Sequence, residues 1–572
     1  MPLILSIHHG IHDSAAALFD DYQIIAAVQK ERLTRIKKDG GLATESVAEV
    51  LEIGGVSAAE VDVVVFTRGE FPRDCYKTDL LRRVRDWMQG RDGTRDLSTV
   101  MAKVGASDPL AVLDVAKVLA IYGLPENTAV FFANHHFAHA LPSLFYTDWD
   151  DALLYTADGA GDNVNYSHRV FHDGSLTTLF GDDRWLHQPY RIDSLARAYA
   201  NVTEALGFRP LHHEGKVTGL AAFGRPVLKD AFGAHFSVGN DGLFTSDFAN
   251  GSVMREAFMA LCHDHSREDA AASIQAFLEE LMLKSVGQLL ETHKVRHLGM
   301  AGGLFANVKL NQRLAESFGL NEVFVVPPMG DEGLAIGGGL QYLLERDGMS
   351  RWLKMRYRLP NVYWGREFGA HTGRRFLDYS SKIYRLEGGA VPTAARLLSE
   401  GKAVAIVNRR MEYGPRALGA RSIMASPCHR EINDSINKRL DRSEFMPFAP
   451  VIAEEDARSV FDISDVNAYA ARFMTITCGV KQEWRDRIPA VVHVDATARP
   501  QIIRRADNPL YYDTLAAFKA ETGLPAVVNT SFNVHEEPII NTPEEAARAL
   551  VDNRVDYLLT DDGVYGVRED GL

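Results

Sequence analysis

The chain has 572 residues, more than one ordinary core holds, so at least two lobes are expected, the larger a candidate for a duplicated fold. A hydrophobic content of 46% with 24% charged residues is that of a soluble globular protein. The net charge of -14 and pI near 5.8 argue against a polyanion as the main partner, since nucleic-acid surfaces are usually basic; a few local Arg and Lys would still serve an anionic small molecule.

Cys75, Cys262, Cys428 and Cys478 are far apart and form no C-x-x-C pair, so neither a zinc framework nor a disulfide framework is expected. The start, Met1 to Ile7, lacks a basic region and turns polar at His8 and His9, and so reads as a first strand and not as a signal peptide. No run of about 18 apolar residues occurs, so no membrane span is expected and the reading is cytoplasmic.

In chain order, Leu3–Ile7 reads as a strand, His8–Ser14 as a polar turn, and Ala15–Phe19 and Gln23–Val28 as further strands, with a helix near Glu45–Ile53. A second unit of the same kind comes later: strand Ala152–Thr156, a turn from Ala157 to Asp162, and strand Val164–Phe171. Residues 269–291 have a long helix's spacing, with Ile274, Phe277, Leu278 and Leu281 on one face. His297–Asn307 is a short strand entering a Gly-Gly turn, Val323–Val326 a strand, and Pro327–Gly333 a turn opening a helix through Leu344. Two Asp/Gly strand-turn-strand units with a strand-Gly-Gly-helix unit suggest an α/β fold with a duplicated ribonuclease-H-like ATPase core of the actin, Hsp70 and sugar-kinase type. The bland alternative is two unrelated α/β layers with ordinary Gly turns. A boundary is expected within 346–372, giving domains over 1–350 and 365–572, the second a separate α/β module.

His135 and His139 are four apart on an expected helix, so both imidazoles leave one face, a good geometry for two metal ligands. Asp158 and Asp331 lie at Gly-rich turns of the expected cleft and could complete the set. Two His and two carboxylates suit Fe(II), Mn(II) or Zn(II), and the absence of a nearby Cys weakens zinc. His12, in His12-Asp13-Ser14, is either beside a turn-capping Asp or a general base or phosphate contact. Arg32, Arg35, Lys37 and Lys38 form a basic cluster after the first hairpin, and Lys216 succeeds Glu214-Gly215 in a flexible turn; either could be solvated or could meet an anion. Between Arg410 and Ser422, Arg410, Arg416 and Arg421 flank Gly414-Pro415 as if built for a small multivalent anion; a salt-bridged surface loop is the alternative. Arg499 adds a cation, and Asn529 within Asn529–Asn533 adds an amide suited to a carbamoyl group.

Taken in order, these motifs resemble the carbamoyltransferase family of natural-product and nodulation-factor biosynthesis over nearly the whole chain. The likeness rests on His12–Ala16, Glu31-Arg32 with Arg35 and Lys37, His135-His136 with His139, Asp158-Gly159, Glu214–Lys216, Gly302-Gly303 with Asn307, Gly330–Gly333, Glu412–Gly419, Pro447–Pro450 and Asn529–Asn533. The resemblance implies a first domain similar to the universal tRNA threonylcarbamoyl transferase, holding a divalent metal, Fe(II) by family, on His135, His139, Asp158 and Asp331. It implies catalytic roles for His12 and Lys37, and nucleotide contacts at Gly302, Gly303, Asn307 and Lys216. It implies a second, YrdC-like domain that makes carbamoyladenylate from ATP and carbamoyl phosphate, with Arg416, Arg442, Arg499 and Asn529 on the donor. The acceptor would be a small-molecule hydroxyl; nucleic acid and membrane are not expected as partners, and a homodimer is allowed. Leu440, Met446 and His535 stand where the family often has basic residues, and Lys438, Arg439 and Arg442 are candidates to replace that charge. A sugar or acetate kinase on the same core and a non-catalytic ATP-binding regulatory module are the rival readings; tRNA modification is disfavoured by the charge.

Overall fold

The computed structural model describes residues 2–77, 94–441 and 447–568. The chain forms two compact units, one of residues 2–34 and 38–359, the other of residues 35–37 and 360–572, the latter described to 568.

The first unit holds two five-stranded sheets. One contains β1 (Leu3–His8), β2 (Ala15–Asp20), β3 (Gln23–Gln29), β4 (Val63–Thr67) and β5 (Ala129–Ala133), ordered β3-β2-β1-β4-β5. The other contains β6 (Asp151–Gly161), β7 (Val164–His172), β8 (Ser175–Phe180), β9 (His297–Ala301) and β10 (Glu322–Val325), ordered β8-β7-β6-β9-β10. In each sheet the first three strands are antiparallel neighbours and the last two run parallel to the first. Identical order and direction, met twice, make this a duplicated ribonuclease-H-like core. Strands such as Val63–Thr67 are apolar without alternation and buried throughout, as a sheet covered on both faces requires.

The helices of this unit include α1 (Thr44–Gly54), α2 (His135–Phe145), α3 (Glu214–Leu220), α4 (Arg267–His293) and α5 (Val308–Ser317). Another, α6 (Leu334–Asp347), crosses α2 at close range: a Cβ on Gly337 would sit 1.7 Å from the Ala138 carbonyl oxygen. Two differences from the sequence expectations concern loops. Residues 158–161 are not a turn but the bulged end of β6, and the reversal is made by Asp162 and Asn163, both at positive φ. Lys216 lies on α3 and not in a flexible turn, since Glu214–Leu220 is helical.

The second unit is built on a mixed eight-stranded sheet. Its strands are β11 (Ile383–Arg385), β12 (Val404–Val407), β13 (Arg421–Ala425), β14 (Ala449–Ala453), β15 (Gln501–Ile503), β16 (Ala526–Ser531), β17 (Tyr557–Thr560) and β18 (Gly563–Val567). Their order is β11-β18-β17-β12-β13-β16-β14-β15. Within this unit Arg35 donates to the Pro538 and Ile539 carbonyls and pairs with Glu545 at 3.0 Å. Among the described residues no helix is long and apolar enough to cross a membrane.

Candidate functional site

In the first unit one ligand atom from each of His135, His139, Asp158 and Asp331 lies within 4.8 Å of the others. The elements explain the convergence. Asn134 caps α2 by accepting from the Phe137 amide, and the helix then presents His135 and His139 one turn apart on a shared face. Asp158 comes from the bulged end of β6, and Asp331 from the turn that opens α6. Gly302, after β9, joins these turns: its amide donates to the Met329 carbonyl at 2.7 Å. Its φ of 97° is one that a β-carbon disfavours, and a Cβ there would lie 2.2 Å from the Ala157 oxygen. Asp158 accepts from the amides of Gly159 and Gly303, so it touches the Gly-Gly turn as well as the histidines.

The site is charged, with both histidines buried and both carboxylates partly exposed. His139 Nε2 stands 3.2 Å from Asp158 and 3.4 Å from Asp331, and His135 Nε2 3.9 Å from Asp331. His135 Nε2, His139 Nε2 and Asp331 Oδ1 are buried, and none has a hydrogen-bond partner among the described residues. Each such atom costs about 1–3 kcal/mol unless something satisfies it. A divalent cation fits this donor set. Burial opposes charge on His139, but the two carboxylates outweigh it and push the ring up to about 9. Beside it, His136 is a structural histidine, buried between Thr156 and the Val164 carbonyl and held well below the ordinary histidine value by that burial.

Asp331 faces a second group through its other oxygen. Oδ2 is 3.8 Å from His8 Nε2 and 4.0 Å from His12 Nδ1. Burial holds His8 down at about 3, and Thr67 is bound to its Nδ1. Burial also works against charge on His12, but Asp13, bonded to Nδ1 at 3.0 Å, and Asp331 raise it to about 9. With no metal on Asp331, the two carboxylates favour the charged form of His12. A charged ring fits the phosphate-contact alternative named from the sequence. The lysine beside Asp13 is Lys38, at 3.8 Å, whereas Lys37, named from the sequence, groups with the second unit. Burial, with the charge of Asp13 added, pushes the Glu332 carboxyl up to about 8. His8, Asp13, Lys38 and Glu332 were missed as site residues. Asp13, Lys38 and Glu332 adjoin His12, Lys37 and Asp331 in sequence, whereas His8 lies four residues before His12.

Of the residues named as nucleotide contacts, Gly303 adjoins Asp158 and Asn307 is engaged within the protein. Its Oδ1 caps α5 at the Leu310 amide, and its amide group exchanges hydrogen bonds with Gln275 of α4. Gln275 also accepts from Tyr199, whose hydroxyl meets Thr218 of α3, the helix of Lys216. Asn307 thus ties the start of α5 to α4, its polar atoms already occupied.

In the second unit Asn529, on β16, is buried. Its amide donates to the Ala417 carbonyl and to Gln501, while its Oδ1 has no hydrogen-bond partner among the described residues. It thereby ties the residue after Arg416 to a strand two residues beyond Arg499. Glu412 fixes the Arg416 loop from inside, accepting from the amides of Leu418 and Arg421. The expected three-arginine cradle is not formed. Arg410 donates to the Trp364 and Gly365 carbonyls, and the fully buried Arg421 to those of Asn408, Ala420 and Asn541. Arg439 is bound to Asn553 and Asp556, which removes it as replacement charge. Leu440 is buried, and Arg442 and Met446 lie outside the described residues.

Comparison with known proteins agrees with the two-part layout. Residues 3–340 match the model of the carbamoyltransferase N-terminus and residues 395–566 that of the carbamoyltransferase C-terminus. The nodulation protein NolNO of Sinorhizobium fredii is 30% identical over 96% of this chain and 78% of its own. The nodulation protein NolO of Bradyrhizobium diazoefficiens is 31% identical over 74% of this chain and 77% of its own. An uncharacterized protein of Methanocaldococcus jannaschii is 29% identical over 98% of both chains. The chain therefore belongs to the carbamoyltransferase family, and it is an enzyme of carbamoyl transfer.

Proposed function

We propose that the enzyme is an ATP-dependent O-carbamoyltransferase whose first unit transfers the carbamoyl group to a hydroxyl of a small molecule, such as a natural product, sugar or oligosaccharide. The observation that carries this reading is the convergence of His135, His139, Asp158 and Asp331, three of whose ligand atoms are buried with one another or Asp158 as charged neighbours and no hydrogen-bond partner among the described residues. These four residues would hold a divalent metal, Fe(II) by family. When bound, the metal supplies a Lewis acid that polarises a carbonyl and favours ionisation of a hydroxyl.

The second unit prepares the electrophile. Carbamoyl phosphate loses phosphate to water, leaving carbamate; a carbamate oxygen attacks the α-phosphorus of ATP and pyrophosphate departs. Arg416, Arg499 and, by family, Arg442 bind the anions, and the open Oδ1 of Asn529 accepts from the carbamoyl NH₂. In the first unit the acceptor oxygen attacks the carbonyl of carbamoyladenylate and AMP leaves. The Gly302-Gly303 turn and Lys216 flank the nucleotide, and protonated His12, with Lys38 near it, meets the phosphate. Adenylation is needed because carbamate is a poor electrophile and an alcohol a weak nucleophile.

The test is product analysis of the purified enzyme with ATP, carbamoyl phosphate and an acceptor library. AMP, pyrophosphate and an acceptor heavier by one carbamoyl unit are expected. ADP with a phosphorylated acceptor would instead make it a kinase.

A further inference from the structure

We infer that the tip of the second hairpin, Gly161-Asp162, is the seat of His135, and that Asp162 is a positioning residue for this imidazole, itself outside the ligand set. The inference rests on the metal reading of the proposed function. Two adjacent residues address the same histidine by different means. Asp162 Oδ2 accepts from the His135 amide at 2.7 Å, at the first turn of α2. Gly161 leaves room for the ring: a Cβ there would lie 2.1 Å from His135 Cδ2 and 2.5 Å from Nε2.

The seat is braced from both sheets. Arg68, just after β4 of the first sheet, is 8% exposed and binds Asp183 through both terminal nitrogens at 2.6 and 2.7 Å. It stands 3.7 Å from Asp162 and offsets part of that carboxylate's burial. Asp183, beyond β8 of the second sheet, also accepts from Asn134 Nδ2 at 2.8 Å, and Asn134 is the cap of α2. On the other side Gln341 of α6 accepts from the Asn134 amide at 3.0 Å. The helix start that aims His135 is therefore gripped by groups from three separate elements. Supporting groups of this kind commonly change metal affinity by about 10–100-fold when removed.

The test measures Mn(II) affinity by calorimetry on the full chain, with wild type, Gly161→Ala, Asp162→Asn, Asp162→Ala and His139→Ala, beside their thermal midpoints. Asp162→Asn keeps an acceptor for the His135 amide and should stay within about 3-fold of wild type, while Asp162→Ala and Gly161→Ala should lose about 10-fold or more. A loss of fold would affect all ligands alike; rescue by Asn, with Gly161→Ala leaving the carboxylate intact, separates positioning from general damage. If His139→Ala loses the metal while Asp162→Ala and Gly161→Ala bind as wild type does, the inference is overturned and the metal reading stands. If Asp162→Asn is as damaged as Asp162→Ala, the hydrogen bond is not the positioning contact. Absence of saturable metal binding by wild type would overturn both readings.

Discussion

His139 shows how one residue links charge, stability and ligand binding. Its ring is held protonated up to about 9, between Asp158 and Asp331, in the place a metal would take. Metal entry at neutral pH must expel that proton. Titration of the apo protein with Mn(II) at pH 7 in two buffers of different ionisation enthalpy should show about one proton released per ion. No buffer dependence would contradict the protonated site. Without metal, the raised pKa contributes stability that is complete below about 6.5 and is lost as pH rises through about 9. Glu332, raised to about 8, acts in the same direction, losing its contribution from about 4.5 upward. Asp158, held well below the ordinary carboxylate value, works the other way and destabilises only as pH falls into the acid range. The apo melting temperature should therefore decline from pH 6.5 to 9, and His139→Gln should flatten that decline. In the second unit, Arg416→Ala should weaken carbamoyl-phosphate binding by about 10–100-fold, the value of a charge-assisted contact of roughly 1.5–3 kcal/mol.

At the scale of elements, the crossing of α2 and α6 sets the spacing between the histidine pair and Asp331. The helices approach through Gly337, where a Cβ would fall 1.7 Å from a backbone oxygen that no rotamer change can move. Gly337→Ala should therefore push the helices apart. Overpacking of this kind costs about 1–3 kcal/mol, and here more, because backbone must shift. Urea denaturation should show the lost stability and elemental analysis a lower metal content. A variant with normal metal content would show that the crossing tolerates movement without opening the site. The Gly302 turn acts on the same set from β9, joining the Asp331 turn to Asp158 through Met329 and Gly303. Two glycine-bearing turns and the bulged end of β6 thus decide where the carboxylates stand.

For the whole molecule the proposed scheme divides the labour between the two units. Arg416→Ala or Arg499→Ala should stop carbamoyl-phosphate-dependent pyrophosphate release and, with it, product. His139→Ala or Asp158→Ala should stop product yet spare much of the pyrophosphate release. Measuring both outputs on these four variants decides the matter: metal-site variants that stay folded but lose both outputs would show that the two reactions are not separate.

The sequence by itself determined the duplicated hairpins, the Gly-Gly turn, the long helix of residues 267–293 and the order of the motifs, because local periodicity and turn chemistry are written in neighbouring residues. His135 and His139 were legible as a pair for the same reason: helical spacing alone puts them on one face. Tertiary structure decided what depends on distant partners. It tied Arg410 and Arg421 of the 410–421 loop to backbone carbonyls distant in sequence or across the loop. It brought Asp331, more than 300 residues away in sequence, to 4.0 Å from His12, adding to the effect of the adjacent Asp13, and placed Lys38 3.8 Å from Asp13. It also turned Asp162 from one more acidic turn residue into the group that holds His135, since an amide 27 positions earlier meets its carboxylate only once α2 and the β6–β7 hairpin have packed.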